Sequence, residues 1–313
     1  MKTVTLGETG VTVTRLGLGL APIAGLYTAV GDDMAHATIE AAWDAGVRFF
    51  DTAPLYGHGL SERRAGAVLS SKPRSSFTMS TKVGRRLRSS SSFVGDIWGE
   101  HLDSTVYWDF SGTGAVRSLE ESLDRLGLDR VDLLHIHDPD DHYAAAVAGA
   151  LPALVSLRTE GRIGAVSVGM NQAPMLADFV RTGMVDCVLL AGRYTLIDQR
   201  GLDELLPLCA DRGVSVIAAG VFNSGLLAGG STFDYGPVPA EVRARADAVR
   251  AVCDRHGVPL RAAALQFPLR HPVIASVLVG LRSPAEVLDA LEMLAYEVPD
   301  ELWHDLETAG LIR

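Results

Sequence analysis

Residues 49–61 read FFDTAPLYGHGLS, and within this stretch a strand gives way to a turn. An apolar pair leads into Asp51, Pro54 then turns the chain, and Tyr56 stands directly before a glycine. Asp51 and Tyr56 are five residues apart, so one face of a regular strand cannot carry both side chains. A turn through Pro54 can fold one side chain back toward the other. The stretch is therefore a candidate site at the end of a strand.

Short apolar runs alternate with helical stretches on both sides of this segment. The predicted strands are 16–20, 47–50, 77–81, 131–136, 163–168, 187–190, 214–218 and 276–279. The predicted helices are 33–45, 60–70, 115–126, 143–160, 173–182, 202–212, 240–256 with 260–269, and 284–296. A hairpin is predicted over 4–6 and 11–14, and a further helix over 301–309. Strands this uniformly apolar are typical of a parallel sheet that helices cover on its outer face.

Eight strand–helix pairs predict an α/β fold, a single (β/α)8 TIM barrel over residues 1–313 with a short N-terminal β-hairpin and extra C-terminal helices. The active site is then expected on the loops at the C-terminal ends of the strands. A doubly wound sheet is the alternative. However, Gly17, Gly19 and Gly25 lack the GxGxxG spacing with which that fold binds phosphate.

Residues 84–112 break the alternation. They hold three arginines, a serine run and few apolar residues at regular spacing. Irregular segments of this length are uncommon in compact domains and are usually functional or disordered. We expect a long loop on the active-site side of the barrel.

Composition excludes several classes of function. The formal charge is −10 and no basic stripe occurs, which argues against nucleic acid as a partner. Cys187, Cys209 and Cys253 are widely separated and show no metal-ligand spacing, so we expect no metal site. No apolar run is long enough for a membrane span or a signal peptide. We expect a cytoplasmic monomer or homodimer.

The polar residues at the predicted strand ends form a set that can move a proton. Asp51, Lys82 and His137 fall at or just after the ends of three strands, and Tyr56 lies on the loop after the second. In a parallel barrel these ends meet at one mouth. A tyrosine has an ordinary pKa near ~10 and becomes an effective acid or base when a nearby cation lowers that pKa. Lys82 is the candidate cation and Asp51 its partner, while His137 can donate to a substrate oxygen.

Each of these residues also has a purely structural interpretation. Asp51 alone is compatible with a turn cap, Lys82 with a solvated charge and Tyr56 with a rim aromatic. His135 shares a strand face with His137, and one of the two is expected to be a hydrogen-bonded filler of the barrel.

Four motifs of the chain resemble those of the aldo-keto reductases. They are FFDTAPLYG from residue 49, STKVGR over 80–85, RSLEESLDRLG over 117–127 and VDLLHIHDPD over 131–140. The resemblance implies that Tyr56 is the general acid/base, that Lys82 and Asp51 tune it, and that His137 orients a small-molecule substrate. His135 then has a structural role. It also implies a nicotinamide cofactor, NAD or NADP, bound across the barrel mouth.

The resemblance implies a set of cofactor contacts, with two departures from the family pattern. The contacts are Ser167, Asn171, Tyr194, Phe222, Asn223, Ser224, Gly225, Leu227, Gly280, Arg282, Ser283, Glu286 and Asp289. Asn171 is expected to replace an amide-binding pair that this chain lacks, and Tyr194 or Phe222 to supply the aromatic that stacks on nicotinamide. Glu286 stands where NADP-dependent members place an arginine, which predicts a preference for NAD, with Arg282 as the contrary indication.

Details such as DPDD over 138–141 and GRYTLIDQ over 192–199 resemble the aldose dehydrogenases of this superfamily, a group that also includes a pyridoxal 4-dehydrogenase. They imply oxidation of an aldose at C1 to the lactone, with Trp98, Trp108 and Asp138 as substrate contacts. The alternatives are pyridoxal oxidation, general aldehyde or ketone reduction, a non-catalytic nicotinamide-binding regulatory module, and an unrelated barrel hydrolase or lyase. For the 84–112 loop, disorder or an oligomer contact is the alternative to a substrate cover.

Overall fold

The computed structural model describes residues 1–90, 97–234 and 236–313. The strands are Thr3–Thr5 (β1), Thr12–Thr14 (β2), Leu16–Gly19 (β3), Phe49–Asp51 (β4), Thr78–Val83 (β5), Arg85–Ser89 (β6), Ser104–Trp108 (β7), Leu133–His137 (β8), Ala165–Met170 (β9), Cys187–Ala191 (β10), Ser215–Ala219 (β11), Thr232–Phe233 (β12), Gly236–Pro237 (β13) and Ile274–Gly280 (β14). The helices are Asp32–Asp44 (α1), Leu60–Leu69 (α2), Gly112–Leu126 (α3), Tyr143–Ala145 (α4), Leu151–Thr159 (α5), Ala173–Arg181 (α6), Leu205–Arg212 (α7), Ala240–Arg255 (α8), Leu260–Gln266 (α9), Pro284–Ala295 (α10) and Asp300–Thr308 (α11). None of the helices in these ranges is long and apolar enough to cross a bilayer.

Eight parallel strands close into a barrel in the order β3, β4, β5, β8, β9, β10, β11 and β14, and β14 pairs back onto β3. The predicted (β/α)8 barrel is therefore confirmed. Side chains alternate along each strand, so Phe49, Leu133 and Ile217 fill the interior while Phe50 and Leu134 pack outward against the helices. Both faces of the eight barrel strands are largely buried, which explains their nearly continuous apolar runs in the sequence.

The β1–β2 hairpin covers the N-terminal end of the barrel. Leu6 and Val13 join the interior cluster, and the Gly7 N–H donates to the Ser215 hydroxyl at 2.9 Å. With that end covered, the loops at the opposite end surround the mouth of the barrel.

Two helices that position the mouth pack in backbone contact. A Cβ on Gly66 of α2 would lie 2.3 Å from the Leu126 carbonyl oxygen of α3, so only glycine permits this approach. The Ser111 hydroxyl caps α3 by accepting from the Gly114 N–H at 3.0 Å, and Gly127 ends the helix with a φ of 62°. Because α2 follows β4 and α3 precedes β8, this contact holds two strands of the mouth at a defined separation.

The expectation of an irregular loop over 84–112 is wrong in part, since the segment contains the antiparallel β6–β7 hairpin. The guanidinium of Arg85 lies 4.4 Å from the Trp108 ring centroid, and those of Arg86 and Arg88 lie 5.4 and 5.7 Å from the Tyr107 centroid. Arginine side chains stack on aromatic rings across the hairpin, in place of the alternating apolar residues that mark most strands. The sequence pattern therefore did not reveal these two strands. The part of the predicted loop over 91–96 lies outside the described residues.

Candidate active site

Three adjacent strands bring the predicted catalytic residues together. Asp51 ends β4, Lys82 lies near the end of β5, and His137 ends β8. Their side chains share the inward face because each is an even number of residues from an interior position of its strand. Tyr56 begins the 3-10 turn that follows β4, where Gly57 and Gly59 have φ values of 57° and 96°.

Asp51 and Lys82 form a buried ion pair. The Lys82 Nζ donates to Asp51 Oδ2 at 2.6 Å and to the Thr52 carbonyl at 2.8 Å, and the Ser80 hydroxyl donates to Asp51 Oδ1 at 2.6 Å. Both charged side chains are only 2% exposed. Burial by itself raises the pKa of Asp51, but the Lys82 charge and hydrogen bonding with His135 and Lys82 outweigh it and lower the pKa to about 2. Asp51 is therefore ionised at neutral pH and balances the lysine charge.

Tyr56 lies against this cation. The Lys82 Nζ is 5.0 Å from the centroid of the phenol ring. The His137 ring stands perpendicular to the phenol with centroids 5.8 Å apart, and the buried Trp98 lies on another side at 5.7 Å. A positive charge beside a phenol favours the phenolate, so this arrangement can take up and release a proton at the tyrosine.

The two histidines of β8 occupy different environments. His135 is fully buried, and its Nδ1 is 2.8 Å from the Ser167 hydroxyl. His137 lies nearer the mouth, and its buried Nδ1 has no hydrogen-bond partner among the described residues. Burial, aided by the charges of Arg85 and Lys82, holds the pKa of His137 well below its ordinary value. His137 is thus a neutral imidazole with a ring nitrogen available to a ligand, and the role in orienting a substrate remains a prediction. His135 has structural contacts.

The loops after β11 and β14 have features that fit a dinucleotide. Asn223, Ser224 and Gly225 are consecutive left-handed residues, a backbone form that groups N–H donors in anion-binding loops. Asn223 is buried, and its side-chain Oδ1 lacks a hydrogen-bond partner within the described ranges. In (β/α)8 barrels, phosphate groups are often bound by these two loops and a helix N-terminus.

Ser283 caps the N-terminus of α10, in the loop that follows β14. The Ser283 hydroxyl accepts from the Glu286 N–H at 3.2 Å. The Glu286 carboxylate in turn accepts from the Arg282 backbone N–H at 2.9 Å and from its Nε at 3.1 Å. The exposed Gly280 precedes this cap, and Asp289, one turn further along α10, pairs with Arg261 at 2.9 Å.

Three of the predicted cofactor contacts are not supported by their placement. Ser167 is buried inside the barrel with its hydroxyl bonded to His135. Tyr194 is 5% exposed because its ring packs against Phe267 and His271. Leu227 is buried in the core, and its N–H donates to the Phe222 carbonyl. The half-buried Phe222 remains the candidate for stacking, and Asn171 directly follows β9.

The substrate contacts predicted from the sequence divide between two positions. Trp98 lies beside Tyr56, as described above. Trp108 and Asp138 instead lie on either side of Arg85, which donates to Asp138 Oδ2 at 2.8 Å. Asp138 Oδ2 is also 3.6 Å from His137 Nε2, so this second position adjoins His137.

A model of the Aldo/keto reductase family matches residues 15–310. The chain belongs to the aldo/keto reductase family. It is an oxidoreductase, and aldo/keto reductases use NAD(P)H.

Relatives of this aldo/keto reductase include two dehydrogenases of similar length. It is 43% identical to a D-threo-aldose 1-dehydrogenase from Pseudomonas sp, over 97% of this chain and 96% of that protein. It is 41% identical to a pyridoxal 4-dehydrogenase from Microbacterium luteolum, over 98% and 97%. A solved aldo-keto reductase from Bacillus halodurans matches with a TM-score of 0.79 at 23% identity, covering 100% of this chain and 97% of that chain, which shows the shared fold.

Sequence reasoning about this aldo/keto reductase missed two charged residues near the site. Arg85 is the last residue of the STKVGR motif, and that position was the available signal. Glu62 was not predicted as part of the site, but it is fully buried in α2 and accepts from the Thr81 hydroxyl, next to Lys82. The available signal for Glu62 was its spacing, because it falls on the same face of α2 as the apolar residues of that helix.

We expect the free energy of unfolding of this reductase to fall as the pH is lowered from about 7.5 to about 5.5. The pKa values of His135 and His137 lie below the ordinary 6.5 in the folded chain, with burial as the main cause. Below pH 6.5 these histidines therefore bind protons in the unfolded chain but not in the folded chain. This proton uptake favours the unfolded chain and lowers the free energy of unfolding. Urea unfolding followed by circular dichroism at the two pH values measures the change.

The exposed His304 provides the control for this prediction. His137→Asn removes one buried imidazole whose pKa differs between the folded and unfolded chains. It should therefore reduce the dependence of the unfolding free energy on pH, whereas His304→Asn should leave that dependence as in the wild type. A His137→Asn variant with the full wild-type dependence would contradict the assignment.

Proposed function

We propose that this aldo/keto reductase oxidises an aldose at C1 to the lactone with a nicotinamide cofactor as the electron acceptor. The observation that carries the proposal is the buried Asp51–Lys82 pair next to Tyr56. The ring of the neutral His137 also lies next to Tyr56, perpendicular to the phenol ring. The similarity to a D-threo-aldose 1-dehydrogenase over nearly the whole of both chains supports the choice of substrate class.

The four residues have complementary parts in this reaction. When bound, nicotinamide supplies the acceptor for the hydride that leaves C1. Tyr56, as phenolate, takes the proton from the C1 hydroxyl, so that the C–O bond becomes the lactone carbonyl. Lys82 stabilises the phenolate by its charge, and Asp51 keeps that charge in place. His137 holds the reacting oxygen by a hydrogen bond and remains neutral.

Pyridoxal oxidation is the second candidate, because the similarity to a pyridoxal 4-dehydrogenase is almost as high. Reduction of NAD+ and NADP+ with L-fucose, D-arabinose, L-galactose and pyridoxal, each over a range of concentrations, separates the two. We expect the highest kcat/KM with an aldose. A higher value with pyridoxal would favour the second candidate. Cofactor binding without turnover of any of these compounds would instead favour a regulatory module.

We expect NAD+ to give a higher kcat/KM than NADP+. The Glu286 carboxylate accepts a hydrogen bond from Arg282 Nε. This contact keeps the Arg282 charge from pairing with the 2′-phosphate of NADP, and the negative charge of Glu286 would repel that phosphate. Glu286→Gln should raise kcat/KM for NADP+ by about tenfold and change the value for NAD+ little, since about 1.4 kcal/mol is a usual effect of one charge at close range. Steady-state kinetics with both cofactors measure the ratio.

Glu292→Gln removes a charge from an exposed position of the same helix and serves as the matched control. It should leave the ratio of the two cofactors unchanged. A wild-type enzyme with higher kcat/KM for NADP+ would refute the preference for NAD.

A further inference from the structure

The Arg85–Asp138 ion pair borders His137 and takes no direct part in the proton and hydride transfers described above. Arg85 opens β6 three residues after Lys82, and Asp138 directly follows His137. The Arg85 guanidinium donates to Asp138 Oδ2 at 2.8 Å, and the same oxygen is 3.6 Å from His137 Nε2. The pair is therefore next to His137, the residue proposed to hold the reacting oxygen.

The backbone on both sides of the pair takes unusual forms. Asp138 has a φ of 41°, a left-handed value that side-chain-bearing residues rarely adopt. Its N–H donates to the Gly169 carbonyl of β9 at 3.0 Å, which fixes this turn to the neighbouring strand. Gly84 has a φ of 103°, and a Cβ there would lie 2.2 Å from the Phe110 ring. A left-handed conformation at a residue with a side chain, as at Asp138, is a strain that is found preferentially at functional sites.

The pair also has hydrogen-bonding capacity beyond its own contact. The Arg85 side chain is 19% exposed, and its buried Nε has no hydrogen-bond partner in the described part of the chain. Its guanidinium is supported by the Trp108 ring at 4.4 Å. The Asp138 side chain is 33% exposed, so a molecule in the mouth can reach its carboxylate. A donor and an acceptor are thus presented together beside His137.

Hydroxyl groups on neighbouring carbons match such a pair, because each hydroxyl both donates and accepts. We propose that Arg85 and Asp138 form a specificity site that binds the hydroxyl on the carbon next to the reacting C1, and thereby select polyhydroxylated substrates over simple aldehydes. Asp138 accepts from this hydroxyl and Arg85 donates to it. The inference rests on the proposed aldose oxidation, since it names what the same site recognises. A site built for a hydroxyl strongly rejects an analogue that lacks it, because its own buried groups are left unpaired.

The test compares D-arabinose with 2-deoxy-D-ribose, which is the same sugar without the C2 hydroxyl, and L-fucose with its 2-deoxy form. We expect Arg85→Met and Asp138→Asn each to lower kcat/KM for the hydroxylated sugar by about 10- to 100-fold, the usual effect of one hydrogen bond to a charged group. The value for the 2-deoxy sugar should change less than about threefold. Calorimetric titration of the sugar into the enzyme with NADH, which cannot accept a hydride from the sugar, should show the same loss of discrimination, while NAD+ binding followed by fluorescence stays unchanged.

Matched controls come from the same two segments. Arg88→Met removes an exposed arginine of the same hairpin, and Asp141→Asn removes an exposed carboxylate of the same loop. Both should keep the wild-type discrimination. If Arg85→Met does not fold, Arg85→Lys serves in its place. A smaller but measurable loss is then expected, because lysine lacks the planar guanidinium.

The outcomes separate this inference from the proposed function. Equal loss for hydroxylated and 2-deoxy sugars, or wild-type discrimination in both the arginine and the aspartate variants, refutes the specificity site alone. A wild-type enzyme that binds NAD+ but turns over no aldose refutes the proposed function and the specificity site with it.

Discussion

Tyr56→Phe is expected to lower kcat by about 10²- to 10⁴-fold, the range over which a positioned acid or base contributes to catalysis. The variant keeps the ring that packs between Lys82, His137 and Trp98 and removes only the ionisable hydroxyl. The KM for NAD+ should therefore remain close to the wild-type value. Initial rates with the best aldose of the panel, at saturating cofactor, measure the effect.

Tyr107→Phe is the control for this substitution, since it removes a phenol hydroxyl from the nearby hairpin. It should keep kcat within about twofold, as expected of a surface change without new unpaired groups. A Tyr56→Phe enzyme that retains wild-type kcat would exclude Tyr56 as the acid/base. In that event the neutral His137 would be the remaining proton-transfer group of the cluster.

The second large effect concerns Glu62. Its side chain is fully buried, its Oε2 accepts from Arg125 Nε at 2.6 Å, and its Oε1 accepts from the Thr81 hydroxyl at 2.8 Å. Glu62→Leu leaves the largely buried Arg125 without its counter-charge. Breaking a buried pair in this way typically costs about 3–5 kcal/mol of unfolding free energy. Urea unfolding at neutral pH measures this loss.

A double variant tests whether the loss comes from the isolated charge. Glu62→Leu combined with Arg125→Met removes both charges and should recover a large part of the stability. Arg270→Met breaks the exposed Arg270–Glu307 contact and should change stability by less than about 1 kcal/mol. If Glu62→Leu alone is as stable as the wild type, the pair has no stabilising role.

The Glu62 contacts also connect stability with the site. Thr81 adjoins Lys82 on β5, and Glu62 lies six residues beyond Tyr56 at the start of α2. The Arg125 side chain covers Gly59, where a Cβ would lie 2.8 Å from its Cδ. We therefore expect the Glu62→Leu enzyme to lose kcat as well as stability, because the turn that carries Tyr56 and the strand that carries Lys82 share this support.

Much of the fold and the cluster of Asp51, Tyr56, Lys82 and His137 were predictable from sequence, and the reason is topological. A parallel barrel brings all the C-terminal strand ends to one mouth, so residues far apart in the chain meet if each ends a strand. The strands could be identified because their apolar runs are nearly continuous and are bounded by glycine or polar residues.

The remaining features depend on directions and contacts that one sequence does not encode locally. Ser167 was expected at the mouth, but it lies deeper in the barrel against His135. Tyr194 was expected, as an alternative to Phe222, to stack on nicotinamide, but its ring packs against Phe267 and His271, which follow α9. The β6–β7 hairpin joins strands separated by more than a dozen residues through arginine–aromatic stacking. In each case a neighbour distant in sequence determined the outcome.

By itself, the sequence determined the eight-stranded barrel and which residues end its strands at the mouth. Those properties follow from the apolar pattern of the strands and from the closed parallel barrel that buries them. The tertiary structure alone decided two further charge pairs, Glu62 with Arg125 and Asp138 with Arg85. An ion pair forms only where packing brings two charged side chains within about 4 Å of each other, and that separation is set by the register of strands and helices.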